Sequence, residues 1–241
     1  MDTQKQEYQT LPEKHLKGIA RTVFDSPKPT ESQLARRAKS IATLKEMGLP
    51  YLEHLPVVEE ETTLKFRTAE VVAKRCLATI LCAAKGETND QALVDELVKE
   101  YAASNFFSPA EQRFIDNLEP PQQELIDYRW RYECVHVFLW ALNARENLVA
   151  PNEICPVSDD AKIVRKAGRA NFVGEAKLRP ASEILDMADL YYHLHWAVIE
   201  LRIKGKKSDL VDEEIIRERH RALNWLIRYL NQEWDDVTTD T

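Results

Sequence analysis

Two histidines stand in the apolar stripes of the last two predicted helices, where leucine would be the ordinary residue. His195 follows Ile184 and Tyr191 at helical steps, so the three side chains share one helix face. His220 stands in a similar stripe, together with Leu223. A buried imidazole at such a position either holds two helices in register through a hydrogen bond or acts as an acid or base.

A short connector joins these two helices, which predicts that they form an antiparallel hairpin. With the turn centred near Lys206, His195 lies within about one helical turn of His220, at roughly 1.5 Å rise per residue. We therefore expect the two imidazoles to be neighbours if both stripes face each other. A competing apolar stripe from Met187 to Leu201 leaves the facing of His195 open.

Other polar residues of the last two helices and of the central helix fall at positions that face the same region. Arg129 is expected to pair with Glu133, four residues further along the helix. Catalytic roles stay unassigned. The predicted polar cluster comprises Arg129, Glu133, Asp186, Asp189, His195, Glu218 and His220.

Metal-binding patterns are incomplete in this sequence. Glu133 and His136 have the E-x-x-H spacing of di-iron carboxylate bundles, which need a second copy that the sequence lacks. Asp186, Asp189 and His193 share a face, but that face continues to Glu200 and so predicts a solvated stripe. We predict no metal and no cofactor.

Arg131 and His136 also fit the R-x4-H spacing of some all-helical ribonucleases. The spacing is short and common by chance, and the two side chains point about 140° apart on a helical wheel. The sequence has no glycine-rich phosphate loop, no G-x-S-x-G elbow and no zinc spacing. Nuclease and metal-dependent activities are therefore the weaker alternatives.

Composition limits the class of protein. The chain has 241 residues, 44% hydrophobic and 30% charged, which is typical of a globular protein. Its formal net charge of −7 argues against general binding to nucleic acid or to anionic membranes. No secretory signal, membrane span or C-x-x-C pair occurs, so a cytoplasmic location is expected.

Helix signals dominate the chain and favour an all-α, single-domain bundle of about eight helices. We predict that this domain comprises residues 31–241 and that residues 1–30 form an N-terminal extension. Thr30 and Ser108 begin capping boxes, and Gly86 is predicted to end the second helix. The predicted helices are 30–47, 64–85, 90–103, a short one from 109, 122–144, 159–167, 181–203 and 209–234.

Several blocks of sequence resemble a bacterial family known as domain of unknown function 4272. They include residues 36–40, 49–56, 130–133, 179–186 and, most specifically, 218–226 and 234–241. The resemblance implies a helical cytosolic protein but supplies no reaction, ligand or partner. Positions that it carries over are Glu133, Asp186, Asp189, His195, Glu218, His220, Asn224 and Asp235.

Two functions remain as hypotheses. The first is a non-catalytic protein-binding, accessory or toxin-immunity factor, with an exposed acidic patch and a protein partner. The second is a hydrolase-like enzyme that uses the histidine–carboxylate cluster, which requires a pocket that reaches His195 or His220. No nucleic-acid or membrane partner is expected, and the oligomeric state is left open.

Overall fold

The computed structural model describes residues 28–241, and this part of the chain is helical, without a β-strand. The all-α prediction is confirmed. The last three residues of the predicted extension, residues 28–30, are described, and residues 1–27 lie outside the described part. The helices are α1 (Glu31–Glu46), α2 (Ala69–Thr88), α3 (Gln91–Glu100), α4 (Pro109–Asp116), α5 (Gln122–Trp130), α6 (Tyr132–Ala141), α7 (Val157–Gly174), α8 (Ala181–Ile203) and α9 (Glu213–Leu226), followed by 3-10 turns at Tyr229–Asn231 and Trp234–Asp236.

The predicted capping boxes at Thr30 and Ser108 are present at the starts of α1 and α4. Thr30 accepts a hydrogen bond from the backbone N–H of Gln33, and the Gln33 side chain bonds back to the Thr30 N–H. Ser108 and Glu111 form the same reciprocal pair at the start of α4. Each box satisfies backbone donors that the first turn of a helix leaves free.

The core is built around α6, whose ten residues are all buried. It lies between α2 and α9, while α9 also packs against α8, and α8 against α1. Arg131, the one residue between α5 and α6, has near-helical dihedrals of −63° and −11°. The two segments therefore form one interrupted helix over most of the predicted range 122–144.

Gly86 does not end the second helix, contrary to the prediction. The helix continues to Thr88 and ends at Asn89, which adopts the left-handed conformation with φ 48°. A Cβ atom at Gly86 would lie 2.6 Å from the carbonyl oxygen of Leu125 and 2.7 Å from the backbone nitrogen of Arg129. Glycine at this position lets α2 and α5 approach closely.

The last helix is shorter than predicted. It ends at Leu226, and positive φ angles at Arg228, Leu230 and Asn231 then turn the chain. Leu230, which was predicted to continue the stripe of His220 and Leu223, is 65% exposed and does not belong to it. Trp234 returns to the core, where its indole N–H donates to Glu111 over 2.8 Å. This tertiary hydrogen bond and the burial of the indole fix the reversal of the chain.

Contacts between α8 and α9 run in opposite chain order. Near the connector, Arg202 Nη1 lies 2.9 Å from a carboxylate oxygen of Glu213. Further from the connector, His195 meets His220. The two helices therefore place His195 and His220 at the same level of the bundle.

Candidate functional site

His195 and His220 are in direct contact. The Nδ1 atoms of His195 and His220 lie 3.0 Å apart, and the ring planes make an angle of 82°. One Nδ1 must donate and the other accept, because two bare nitrogens cannot bond. Burial lowers the pKa of His195 to about 4, and burial with the neighbouring His195 lowers the pKa of His220 to about 3. Both rings are therefore neutral at pH 7.

Asp186 and Asp189 lie at a different place, the contact between α8 and α1. Asp186 accepts hydrogen bonds from Arg36 Nε at 3.1 Å and from Lys39 Nζ at 2.6 Å. Asp189 accepts from the Ser40 hydroxyl at 2.6 Å. Sequence reasoning missed all three partners on α1, and it had placed these carboxylates with the histidine pair.

Asp189 and His193 are fully buried, so the predicted solvated stripe is wrong at these two positions. His193 Nε2 lies 3.8 Å from the Asp189 carboxylate, too far for a hydrogen bond. Within residues 28–241, neither ring nitrogen of His193 nor Oδ1 of Asp189 has a hydrogen-bond partner. Burial raises the pKa of Asp189 to about 6 and lowers the pKa of His193 to about 4.

Glu133 pairs with Arg219, not with Arg129 as predicted. One carboxylate oxygen accepts from Arg219 Nε at 2.8 Å, and the other from the Cys155 backbone N–H at 2.7 Å. Arg129 is exposed. Glu133 lies on the buried side of α6, where α9 supplies the cation, whereas Arg129 points to solvent and lies outside any cluster.

Arg219 was not among the predicted site residues, yet it is the largest fully buried side chain of the described chain. Its guanidinium also donates to the Tyr191 hydroxyl at 2.9 Å and to the carbonyl oxygens of Val149 and Glu153, at 2.7 and 2.9 Å. A buried arginine with this many partners ties α6, α8 and the 149–153 connector to α9.

Arg131 and His136 serve different partners. Arg131 Nη1 donates to the buried Glu218 carboxylate over 2.5 Å. His136 Nε2 accepts from the Val149 N–H at 3.2 Å, so its proton resides on Nδ1, which donates to Asp160 at 2.8 Å. Neither contact leaves the pair free to act on a phosphodiester, so the arrangement does not support the R-x4-H reading.

The seven predicted residues thus divide among separate places. Glu133 and Glu218 lie between α6 and α9, Asp186 and Asp189 between α8 and α1, and the histidine pair between α8 and α9. No carboxylate of the described chain contacts His195 or His220. The proposed single cluster is therefore wrong in its extent, because α8 presents its acidic and histidine positions to different neighbours.

A small cavity lies beside the histidine pair, and sequence reasoning did not find it. Its volume is about 100 Å³, and its polar lining is Glu59, Tyr192, His220, Asn224, Tyr229 and Asp240. Glu59 belongs to the connector before α2, and Asp240 to the C-terminal tail. The run of three glutamates at 59–61, in the predicted connector between the first two helices, was the one signal in the sequence.

The model of a domain of unknown function, DUF4272, matches residues 36–237. The chain belongs to the DUF4272 family. No curated protein and no solved structure matches it. This match confirms the resemblance seen in the sequence. The matched region of this DUF4272 chain also contains all seven predicted residues and the connector glutamates.

Two further features of the DUF4272 fold bear on its chemistry. In residues 28–241, no group of three or more histidine, cysteine, aspartate or glutamate side chains has the geometry to hold a metal ion. Over the same residues, no helix is both long and apolar enough to cross a membrane.

Proposed function

We propose that this DUF4272 protein is a non-catalytic, cytoplasmic protein-binding factor of the accessory or toxin-immunity type. The supporting observation is that the histidines and carboxylates that could act in catalysis form contacts within the protein instead. Glu133 and Glu218 are each held by a buried arginine contact, and His195 and His220 bond to each other. Such contacts give a rigid scaffold, whose function then depends on its surface.

An acidic surface is the best candidate for contact with a partner. We define it by Glu59 and Glu61 of the connector and Asp240 of the tail. Glu59 and Asp240 line the same cavity, and Glu61 is exposed. None of the three forms an ion pair within residues 28–241. Free carboxylates on a chain of net charge −7 attract a basic partner and speed its association.

The test compares capture by two forms of the full chain. Wild-type protein and a triple variant, Glu59→Gln, Glu61→Gln and Asp240→Asn, are immobilised and exposed to an extract of the source cells. We expect a basic protein that wild type retains in stoichiometric amount and that the triple variant loses. Retention should weaken as salt rises, since the Debye length falls from about 8 Å at 0.15 M to about 3 Å at 1 M.

A matched control neutralises three exposed carboxylates elsewhere, on α3 and the connector after α4. These are Glu96→Gln, Glu100→Gln and Glu119→Gln. Because this variant has the same net charge as the first, it should retain the partner. Equal capture by all three proteins, or no stoichiometric partner at all, would refute binding through the acidic surface.

The hydrolase alternative has one observation in its favour, since His220 lines the cavity. A general base works best when its pKa is near the working pH, and burial holds the pKa of His220 to about 3. We therefore place this alternative second. Its test is a panel of ester, amide and phosphoester substrates, in which an activity lost on His220→Asn and kept on His54→Asn would favour it.

A further inference from the structure

The cavity beside His220 has an unusual charge balance. Glu59 and Asp240 contribute two carboxylates to its lining, and no arginine or lysine lines it. Tyr192 and Tyr229 contribute two phenol rings, and the Tyr192 and His220 rings lie 5.8 Å apart. The cavity is thus an acidic, aromatic recess in a protein whose other buried carboxylates mostly have cationic partners.

Among the residues that line this cavity, Glu59 has a buried carboxylate oxygen without a partner in the described chain. Its Oε2 atom is buried and has no hydrogen bond within residues 28–241. Burial raises the pKa of this carboxyl, and no cation in the described chain offsets that effect. A partly buried carboxylate whose one donor is its own backbone N–H is costly to the folded protein, so it gains from a ligand that brings further N–H donors and positive charge.

The rest of the lining does not oppose a cation. His220 is neutral at pH 7, because burial and the neighbouring His195 lower its pKa. Asp240 is exposed, and within residues 28–241 its carboxylate accepts a hydrogen bond only from the Thr238 hydroxyl, at 2.8 Å. Tyrosine rings attract cations within about 6 Å through their quadrupole.

We propose that this cavity binds a primary alkylammonium group, with Glu59 as the principal counter-charge and Tyr192 and Tyr229 as its aromatic walls. At about 100 Å³ it admits only a few non-hydrogen atoms, since a water molecule in the liquid occupies about 30 Å³. A primary ammonium supplies three N–H donors, which a quaternary ammonium lacks. This favours the end of a lysine side chain or a short free amine.

The proposal rests on the proposed function only for the source of the ammonium. If the protein binds a basic partner through the acidic surface, a lysine of that partner would occupy the cavity. A free amine would occupy it in the same way without any protein partner. The chemistry of the cavity can therefore be tested without knowing the partner.

The experiment titrates the isotope-labelled full chain with n-butylammonium chloride and follows its NMR spectrum. Sodium chloride at equal ionic strength serves as the reference. We expect saturable shifts at the Asn224 side-chain amide and at the Tyr192 and Tyr229 rings. Glu59→Gln should weaken binding by about tenfold or more, which is the effect of losing one charge-assisted hydrogen bond. Glu96→Gln, which removes an exposed carboxylate on α3, should bind as wild type does.

Tetramethylammonium has the charge without the N–H donors and should bind at least several-fold more weakly. Absence of saturable shifts, or equal binding by wild type and Glu59→Gln, would overturn the proposal. A melting temperature of Glu59→Gln at or above the wild-type value shows that the variant is folded. A peptide with blocked ends and one central lysine separates the sources, since its binding supports a lysine side chain and its exclusion, with butylammonium bound, supports a free amine. If wild-type protein captured no partner, the proposed function would fail, but the binding of butylammonium measured here would still stand.

Discussion

Two buried polar regions lie on either side of α8 and differ in how well their groups are paired. On one side, Glu133 and Arg219 form an ion pair in which each charged group has further hydrogen bonds. On the other side, Asp189 and His193 are equally buried, but three of their polar atoms have no partner in the described chain. Fully paired groups fix a structure, whereas a buried titratable group whose pKa is shifted by folding makes the stability of the protein depend on pH.

The paired region should give the largest effect when one member is removed. Arg219→Met leaves Glu133 as a buried carboxylate without its cation, and we expect a loss of about 3–5 kcal/mol in the free energy of unfolding. Urea denaturation at pH 7.5 measures it. The control is Arg202→Met, whose exposed ion pair with Glu213 should cost less than about 1 kcal/mol. Equal losses in the two variants would show that the Glu133–Arg219 pair has no special weight.

The histidine pair should make the protein sensitive to mild acid. Its folded pKa values, about 4 for His195 and about 3 for His220, are below the ordinary value of 6.5. The unfolded chain therefore binds protons more readily, and stability falls as pH drops from about 6.5 to about 4. The double variant His195→Leu, His220→Leu should keep about 2–4 kcal/mol more of its pH 7.5 stability at pH 5.

Chemical denaturation at pH 7.5 and pH 5 gives this difference directly. His54→Leu, which removes an exposed imidazole from the connector after α1, is the control and should follow the wild-type profile. A double variant with the same loss between the two pH values would contradict the assignment of acid sensitivity to the pair.

Asp189 should act with the opposite sign and a smaller size. Burial raises its pKa to about 6, so the folded protein binds the proton more tightly and stability falls as pH rises from about 4 to about 6. Asp189→Asn keeps an acceptor for Ser40 and removes the charge. We expect it to stabilise the protein by about 1–3 kcal/mol at pH 7.5 and to have little effect at pH 4.5.

The groups around Asp189 are Arg36, Arg37, Ser40, Asp186 and His193, and burial shifts the pKa of His193 in the opposite direction. Comparison of variant and wild type at each pH removes the His193 contribution that they share. Asp186→Asn is the matched control, because it removes a carboxylate of α8 that has two cationic partners, the buried Arg36 and the exposed Lys39, and it should destabilise the protein at pH 7.5. A destabilised Asp189→Asn at pH 7.5 would show that its charge is compensated.

The sequence predicted those parts of the fold that depend on neighbouring residues. The capping boxes at Thr30 and Ser108 are local hydrogen bonds, and the buried stretch of α6 is visible as an apolar run. The end of the second helix was predicted wrongly. Gly86 is needed because the backbone of α5 packs closely against it, and no local sequence pattern indicates that contact. The early end of α9 has a similar cause, since Trp234 is held by Glu111 from 123 residues earlier.

The same distinction explains the candidate site. His195 and His220 lie on adjacent helices with a short connector, so helix geometry was enough to place one ring near the other. Glu133 meets Arg219 from 86 residues away and Asp189 meets Ser40 from 149 residues away, and neither separation leaves a periodic signal. A charged residue inside an apolar stripe, such as Arg219, was the available clue. It predicts a buried partner without saying which one.

The acidic cavity offers the smallest effect on stability and the clearest link between an unpaired group and a ligand. Glu59→Gln removes a partly buried carboxylate that has no cation, so we expect it to match or exceed wild-type stability by up to about 0.5–1 kcal/mol at pH 7.5. Butylammonium should raise the melting temperature of the wild type more than that of Glu59→Gln at every concentration, because the carboxylate gains a counter-charge and binds the ligand more tightly. If the ligand raised the stability of both proteins equally, its binding site would lie elsewhere, and Glu59 would be an unpaired carboxylate with no ligand to explain it.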